Sequence, residues 1–312
     1  MPTSTAFVTG GSGFIGNALI RRLVADGHAV SALVRSHASA RAVEKAGARA
    51  VWGELLEPDS WTGEVPTCDV VFHLAAETDL MADRERHQRV TVDGTRAMLE
   101  AARRIGATRF VHCGSEAALL AGPPLIDVDE TAPLRPDSAA AYCAAKAESE
   151  QLVVAASDGR LATVVIRPRF VWGPQSNLIG LIIQAAQDGA FAWIEGSRFL
   201  TDVTYIDNVV EGMILGWQRG RPGEAYFVTD REPVEMRSFL ETQFRLYGVD
   251  PQIPDLDLET ARANVPVPML WFFSQQCTLS TDKAVAELGY RPVITRERAL
   301  ANIAASATSL EG

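Results

Sequence analysis

The stretch TAFVTGGSGFIGNALIRRL, from Thr5 to Leu23, restricts the fold more than any other part of the chain. The apolar run Ala6, Phe7 and Val8 predicts a buried parallel strand, and Ala18, Leu19 and Leu23 fall at helical spacing just beyond it. Between the two, Gly10, Gly13 and Gly16 punctuate a tight turn. Glycine there lets the backbone take positive φ and approach a ligand closely, while the free N–H groups and positive end of the new helix face outward. A strand, a glycine turn and a helix in this order form a cradle for a diphosphate.

Strands and helices alternate beyond this point. HAVSALVR (His28 to Arg35), RAVWG (Arg49 to Gly53), DVVFHLAA (Asp69 to Ala76), RFVHC (Arg109 to Cys113) and ATVVIR (Ala162 to Arg167) predict further strands. Helical spacing runs from Arg89 to Ile105, and a helix capped by Asp137 or Ser138 is expected through Leu152. Such a rhythm predicts an α/β protein, a doubly wound parallel sheet with helices on both faces, whose ligands gather beyond the carboxyl ends of the strands. The segment from Ala121 to Pro136, with four prolines, predicts a surface crossing. After Thr204 to Leu215 and the late strand Glu224 to Thr229, helices are expected around Phe239 to Tyr247, Thr281 to Leu288 and Glu297 to Ala305. The expected division is a dinucleotide-binding domain over 1–170, with 204–230 returning to it, and a smaller C-terminal substrate lobe from 171–203 and 231–312. VPVPMLWFF, Val265 to Phe273, is simple core, or it lines or lids a pocket for a hydrophobic substrate, or it touches a membrane that it is too short to cross.

Charge excludes some partners. With 29 basic and 39 acidic residues the chain carries a net charge of −10, which repels nucleic acid and anionic membrane. No apolar run approaches the length of a membrane span, and the first strand begins within a few residues of Met1, so the expected compartment is the cytoplasm. Four scattered cysteines and five scattered histidines show no metal-ligand spacing, and no metal is expected.

Three polar residues stand where chemistry would occur. Ser115 follows the fifth strand, and Tyr142 and Lys146, four residues apart, share one face of the next helix. Their convergence beside a bound nicotinamide would make a carbonyl-reduction site. Arg35, at the end of the second strand, is suited to pair with a 2′-phosphate and so favours NADP over NAD.

These motifs together resemble the extended short-chain dehydrogenase/reductases: TGGSGFIG at Thr9 to Gly16, FHLAA at Phe72 to Ala76, VDGTRAMLEAA at Val92 to Ala102, YCAAK at Tyr142 to Lys146 and IRPRFVWGP at Ile166 to Pro174. TYIDNVVEGMILG and GEAYFVTDREPV resemble the branch of 3β-hydroxysteroid and sterol-4-carboxylate dehydrogenases, close to the dihydroflavonol reductases. The resemblance implies a Rossmann-type fold with Tyr142 as acid and base. Lys146 would hold the nicotinamide ribose and lower the tyrosine pKa, and Ser115 would bond the substrate oxygen. It assigns Thr9, Gly10, Gly13, Phe14, Ile15 and Gly16 to the pyrophosphate. Arg35, Glu54 and Leu55 fall to the adenosine side, and Ala75, Ala76, Pro168 and Val171 to the nicotinamide half.

The implied activity is NADP(H)-dependent interconversion of a secondary alcohol and a ketone on a mainly apolar small molecule. The alternatives are an epimerase or dehydratase with tightly held NAD, and a dinucleotide-sensing binding protein. A homodimer through 89–105 and 138–155 is implied as well. Glu54, Thr91 and Gly114 depart from the family's usual aspartate, asparagine and serine. Thr201 stands where sugar-nucleotide epimerases carry a phosphate-binding arginine, which weighs against a UDP-sugar substrate.

Overall fold

A computed structural model describes residues 3–308. Seven parallel strands form its centre: β1 (Thr5–Thr9), β2 (Ala29–Val34), β3 (Arg49–Trp52), β4 (Val70–His73), β5 (Arg109–Cys113), β6 (Ala162–Pro168) and β7 (Glu224–Val228). Their order across the sheet is β7-β6-β5-β4-β1-β2-β3. The order reverses between β1 and β4, and the carboxyl ends flanking that switch point open the crevice where ligands of such sheets bind. Both faces are covered, which is why β4 reads as an unbroken apolar run and not as an alternation: Val70, Val71 and Phe72 are fully buried.

Helix α1 (Phe14–Ala25) packs through Gly16, Leu19, Ile20 and Leu23; of the expected residues Leu19 and Leu23 are buried and Ala18 only half-buried. The helix α2 (His37–Lys45) begins at Ser36, whose hydroxyl accepts from the Ser39 N–H. Helix α3 (Gly94–Arg104) continues from a short helix, Arg84–His87, through a π-helical turn, Gln88–Asp93, that the apolar spacing did not disclose. Helix α4 (Ala141–Ala155) starts later than expected. Neither Asp137 nor Ser138 caps it, because Asp137 pairs with Arg135 and Ser138 donates to the Leu120 carbonyl.

The later chain packs around an aromatic cluster. Trp172 meets Tyr205 and Phe239 edge to face at 5.0 and 5.3 Å, and Phe191 meets Phe273 at 5.7 Å. The proline-rich segment is more than a crossing: Leu125–Val128 forms a strand beside Cys277–Leu279 in a second sheet with Leu200–Thr201 and Val234–Glu235. The helices expected late in the chain form at Met236–Leu246 and Arg296–Thr308, and within Thr281 to Leu288 a short helical run ends in a π-helical turn, Ala284–Leu288. Asn177–Gln187, Leu258–Asn264 and Val267–Phe273 are helices that the sequence did not disclose.

Two histidines scattered in sequence stack in the sheet core, His73 on His112, with ring centroids 5.5 Å apart. His73 is bonded by Thr9 Oγ1 at 2.7 Å and Thr95 Oγ1 at 3.1 Å, while neither ring nitrogen of His112 has a partner. Burial, reinforced by Lys146, pushes His73 down to about 3, and burial holds His112 well below its usual range. Both remain neutral in the fold. The unfolded chain takes up protons below about pH 6.5, so their contribution is complete above that pH and is lost as pH falls. Urea unfolding between pH 7 and 4 should therefore show stability declining by up to about 1.4 kcal/mol per pH unit for each histidine. His112→Leu should flatten that slope and cost little at pH 7, since it removes two unsatisfied buried atoms.

Candidate active site

The glycine turn brings three backbone segments closer than any side chain allows. Gly10 lies at φ +71°, and a Cβ there would stand 2.8 Å from the Ala75 nitrogen; one on Gly16 would stand 2.2 Å from the Gly10 carbonyl oxygen. The Gly13 N–H donates to the Gly10 carbonyl at 3.0 Å, and no side chain caps the α1 amino terminus. Its first-turn N–H groups and partial positive charge therefore remain available to an anion. Thr9 ends β1 and is tied to His73, whereas Phe14 and Ile15 are half-buried in the first turn.

The remaining predicted residues divide about the switch point. Arg35 follows β2 and is exposed, and Glu54 and Leu55 follow β3. Glu54 is exposed, its carbonyl held by Trp61 Nε1 at 3.0 Å, and Leu55 packs over Gly94 at the start of α3. On the other side, Ala75 and Ala76 continue from β4, Pro168 ends β6, and Val171 opens a two-residue strand paired with Thr204–Tyr205. All lie past the carboxyl ends of the sheet.

Ser115, Tyr142 and Lys146 come together at the same edge. Tyr142 is partly open to solvent, and Ser115 lies close enough to act on its phenol. Lys146 lies one turn further along α4, buried, and donates to the Cys113 carbonyl at 3.2 Å. Burial lowers the Lys146 ammonium pKa. Burial also raises the Tyr142 phenol, and the nearby Glu116 carboxylate raises it further.

Sequence reasoning missed three neighbours of this set, Glu116, Arg169 and His87, and reached a fourth, Phe272, only as part of the Val265 to Phe273 stretch. Glu116, buried in the turn after Ser115, accepts the Ser115 hydroxyl at Oε2 (2.7 Å) and Arg169 Nη1 at Oε1 (2.6 Å). Arg169, wholly buried, also donates to Thr201 Oγ1 at 3.3 Å and lies over the Phe272 ring at 5.0 Å. His87 meets the Tyr142 ring edge to face at 5.8 Å, and Phe272 approaches it at 6.5 Å. The available signal was charge inside an apolar run, Glu116 in GSEAALL and the two arginines Arg167 and Arg169 in IRPRFVW. In Val265 to Phe273, Leu270 and Phe273 are buried core, while the Phe272 ring lies 6.5 Å from that of Tyr142.

The departures have local causes. A Cβ on Gly114 would meet Val165 Cγ1 at 2.7 Å, so a serine there has no room. The Thr91 hydroxyl accepts the Glu77 N–H at 3.0 Å, and the Thr91 carbonyl accepts Thr95 Oγ1 at 2.6 Å, so the π-helical turn is bonded into the loop after β4. Thr201 is buried and engaged by Arg169, and no cation projects from that position.

A doubly wound sheet with a glycine cradle at its switch point and a Ser, Tyr and Lys set beside it defines the extended short-chain dehydrogenase/reductase class. The chain belongs to the 3-beta hydroxysteroid dehydrogenase/isomerase family, whose model matches residues 7–257. It is 39% identical to the 4-hydroxy-2-methyl-3-oxo-4-farnesyl-3,4-dihydroquinoline-1-oxide ketoreductase of Stigmatella aurantiaca, over 94% of each chain. It is 31% identical to the 2-alkyl-3-oxoalkanoate reductase of Stenotrophomonas maltophilia, over 97% of this chain and 99% of the other. The fold is shared with the UDP-glucose 4-epimerase of Thermotoga maritima, at a TM-score of 0.81 and 18% identity over 99% of this chain and 100% of that one.

Removing one partner of a buried ion pair strands the other. Arg169→Met should lower stability by about 3–5 kcal/mol, read as a fall in the urea midpoint. Replacing both members, Glu116→Gln with Arg169→Met, should recover most of that loss.

Proposed function

We propose that the chain is an NADP(H)-dependent ketoreductase of a mainly apolar ketone, with Tyr142 as the proton donor. That it is an alcohol/ketone oxidoreductase follows from its family and from relatives that are themselves reductases and dehydrogenases. The observation that carries the site assignment is the meeting of Ser115 and Tyr142 at the sheet edge, with Lys146 one helical turn behind.

A dinucleotide fits the residues present. The spaces at Gly10 and Gly16 that a Cβ would fill leave the backbone able to approach a diphosphate, and the uncapped α1 terminus faces it. Arg35, beyond β2, is placed for the 2′-phosphate of NADP, since its guanidinium pairs with phosphate oxygens. When bound, the reduced nicotinamide supplies a hydride. Tyr142 gives its phenolic proton to the oxygen of the ketone as charge develops there. Lys146, its ammonium already drawn into the interior by the Cys113 carbonyl, opposes the negative charge left on the phenolate. Phe272, whose ring lies 6.5 Å from that of Tyr142, would give the substrate side an aromatic surface, consistent with an apolar ketone.

A panel of ketones and alcohols, followed by NADPH and NADH absorbance, tests this reading. Tyr142→Phe should lower kcat by about 10²–10⁴-fold with the fold intact; full turnover in that variant would remove the assignment. Arg35→Asp should weaken NADPH binding about tenfold or more while sparing NADH, measured by quenching of tryptophan fluorescence. We further propose a homodimer through α3 and α4, which pack on one another and expose Val154. Sedimentation should give twice the chain mass at micromolar concentration, and a monomer would exclude it.

A further inference from the structure

The Ser115 hydroxyl has one proton and two lone pairs. The proton goes to Glu116 Oε2 at 2.7 Å, and one lone pair accepts the Ala117 N–H at 3.2 Å. Toward Tyr142, Ser115 therefore has only a lone pair to offer. It cannot donate to a substrate oxygen while Glu116 holds it. Glu116 in turn is fixed by Arg169, which is wholly buried and anchored again at Thr201 and against Phe272. Neither member of the pair is free to swing away.

We infer that Glu116 is a positioning residue: clamped by Arg169, it turns Ser115 from a hydrogen-bond donor into an acceptor that steers the Tyr142 hydroxyl. This rests on the assignment of Tyr142 as the acid. Its consequence is directional. A phenol facing the lone pair of Ser115, with a carboxylate one residue behind, keeps its proton, and a protonated phenol is the form that reduces a ketone. Glu116 thus opposes the influence of Lys146 and poises the site for reduction over alcohol oxidation. The other groups about the phenol are Cys113 from the end of β5, Cys143 from its own helix and His87 from the segment before α3. About the carboxylate they are Arg169, Cys143, Cys277 and Lys146. Burial keeps the Cys143 and Cys277 thiols protonated, each pushed up to about 12, and lowers the His87 pKa. The Glu116 carboxylate is the group beside Tyr142 whose charge a substitution can remove.

The test compares wild type, Glu116→Gln, Glu116→Asp, the pair Glu116→Gln with Arg169→Met, and Tyr142→Phe. For ketone reduction, Glu116→Gln should bring the alkaline limb of the kcat profile down by about one pH unit and lower kcat about tenfold, with KM for NADPH unchanged. Glu116→Asp, which keeps the charge, should leave the limb in place. The double variant avoids an unpaired arginine and should show the same shifted limb if the single variant folds poorly. A readout without cofactor or turnover is the ring Cζ resonance of labelled Tyr142, assigned through Tyr142→Phe. It should titrate at lower pH in both charge-removed proteins. An unmoved limb and an unmoved resonance in both, with Tyr142→Phe inactive, would overturn the role of Glu116 alone. Activity retained in Tyr142→Phe would overturn the assignment beneath it.

Discussion

The site depends on how closely the backbone of β1 can pass the segments beside it. The carbonyl of Gly10 occupies the space where a side chain on residue 16 would begin, and Gly10 itself lies against the backbone of Leu74 and Ala75. Any larger residue would push α1 off the sheet or part β1 from β4. With glycine, the first turn of α1 sits directly over the switch point, and the ends of β4, β5 and β6 gather around the same crevice. The cradle and the edge that carries Ser115, Tyr142 and Lys146 are therefore two results of one packing constraint.

What the sequence disclosed was local. The glycine turn declares itself because strand, turn and helix lie within one short stretch, and Tyr142 and Lys146 because one helical turn separates them. The strands were legible because a sheet covered on both faces demands unbroken apolar runs. Helix starts were less so: Asp137 and Ser138 are good caps by type, but Arg135 and the Leu120 carbonyl claim them first. Glu116 and Arg169 lie 53 residues apart, each in an apolar run, and nothing in either run points to the other. Their pairing is a product of the sheet, since β5 and β6 are neighbours and both residues lie just past their ends.

Of the three positions that depart from the family's usual residues, the structure accounts for Gly114 by steric need and Thr91 by hydrogen-bond need. Behind Gly114, Val165 and the Glu150 carboxylate occupy the space, and Glu150 is itself bound by Arg167 through Nε at 3.0 Å. Two buried ion pairs thus flank the strand end carrying Ser115, one with each of the arginines around Pro168. Such pairs gain little net stability, because the cost of removing both ions from water offsets most of their attraction. Their value is in fixing position: a carboxylate with a buried guanidinium partner and no exit to solvent holds the hydroxyl beside it in one orientation.

The later chain is joined to that edge through polar anchors as well as apolar area. Asp230, just past β7, accepts Trp172 Nε1 at 2.8 Å, the Tyr205 N–H at 2.7 Å and Asn208 Nδ2 at 2.7 Å. Asn208 continues outward to the Ile294 carbonyl and the Val293 N–H. Asp202 takes the Leu279 N–H and so fixes the strand that follows Phe272 and Phe273. These carboxylates are buried, and burial raises both above the usual range, Asp202 to about 6. Each is held by backbone and side-chain donors that an apolar replacement would leave unpaired, a loss of about 1–3 kcal/mol per group. The strand that follows Phe272 is therefore held by a hydrogen bond to Asp202 as well as by its neighbours in the second sheet. Asp202 thus acts on the segment carrying Phe272 from outside the group of Ser115, Tyr142 and Lys146.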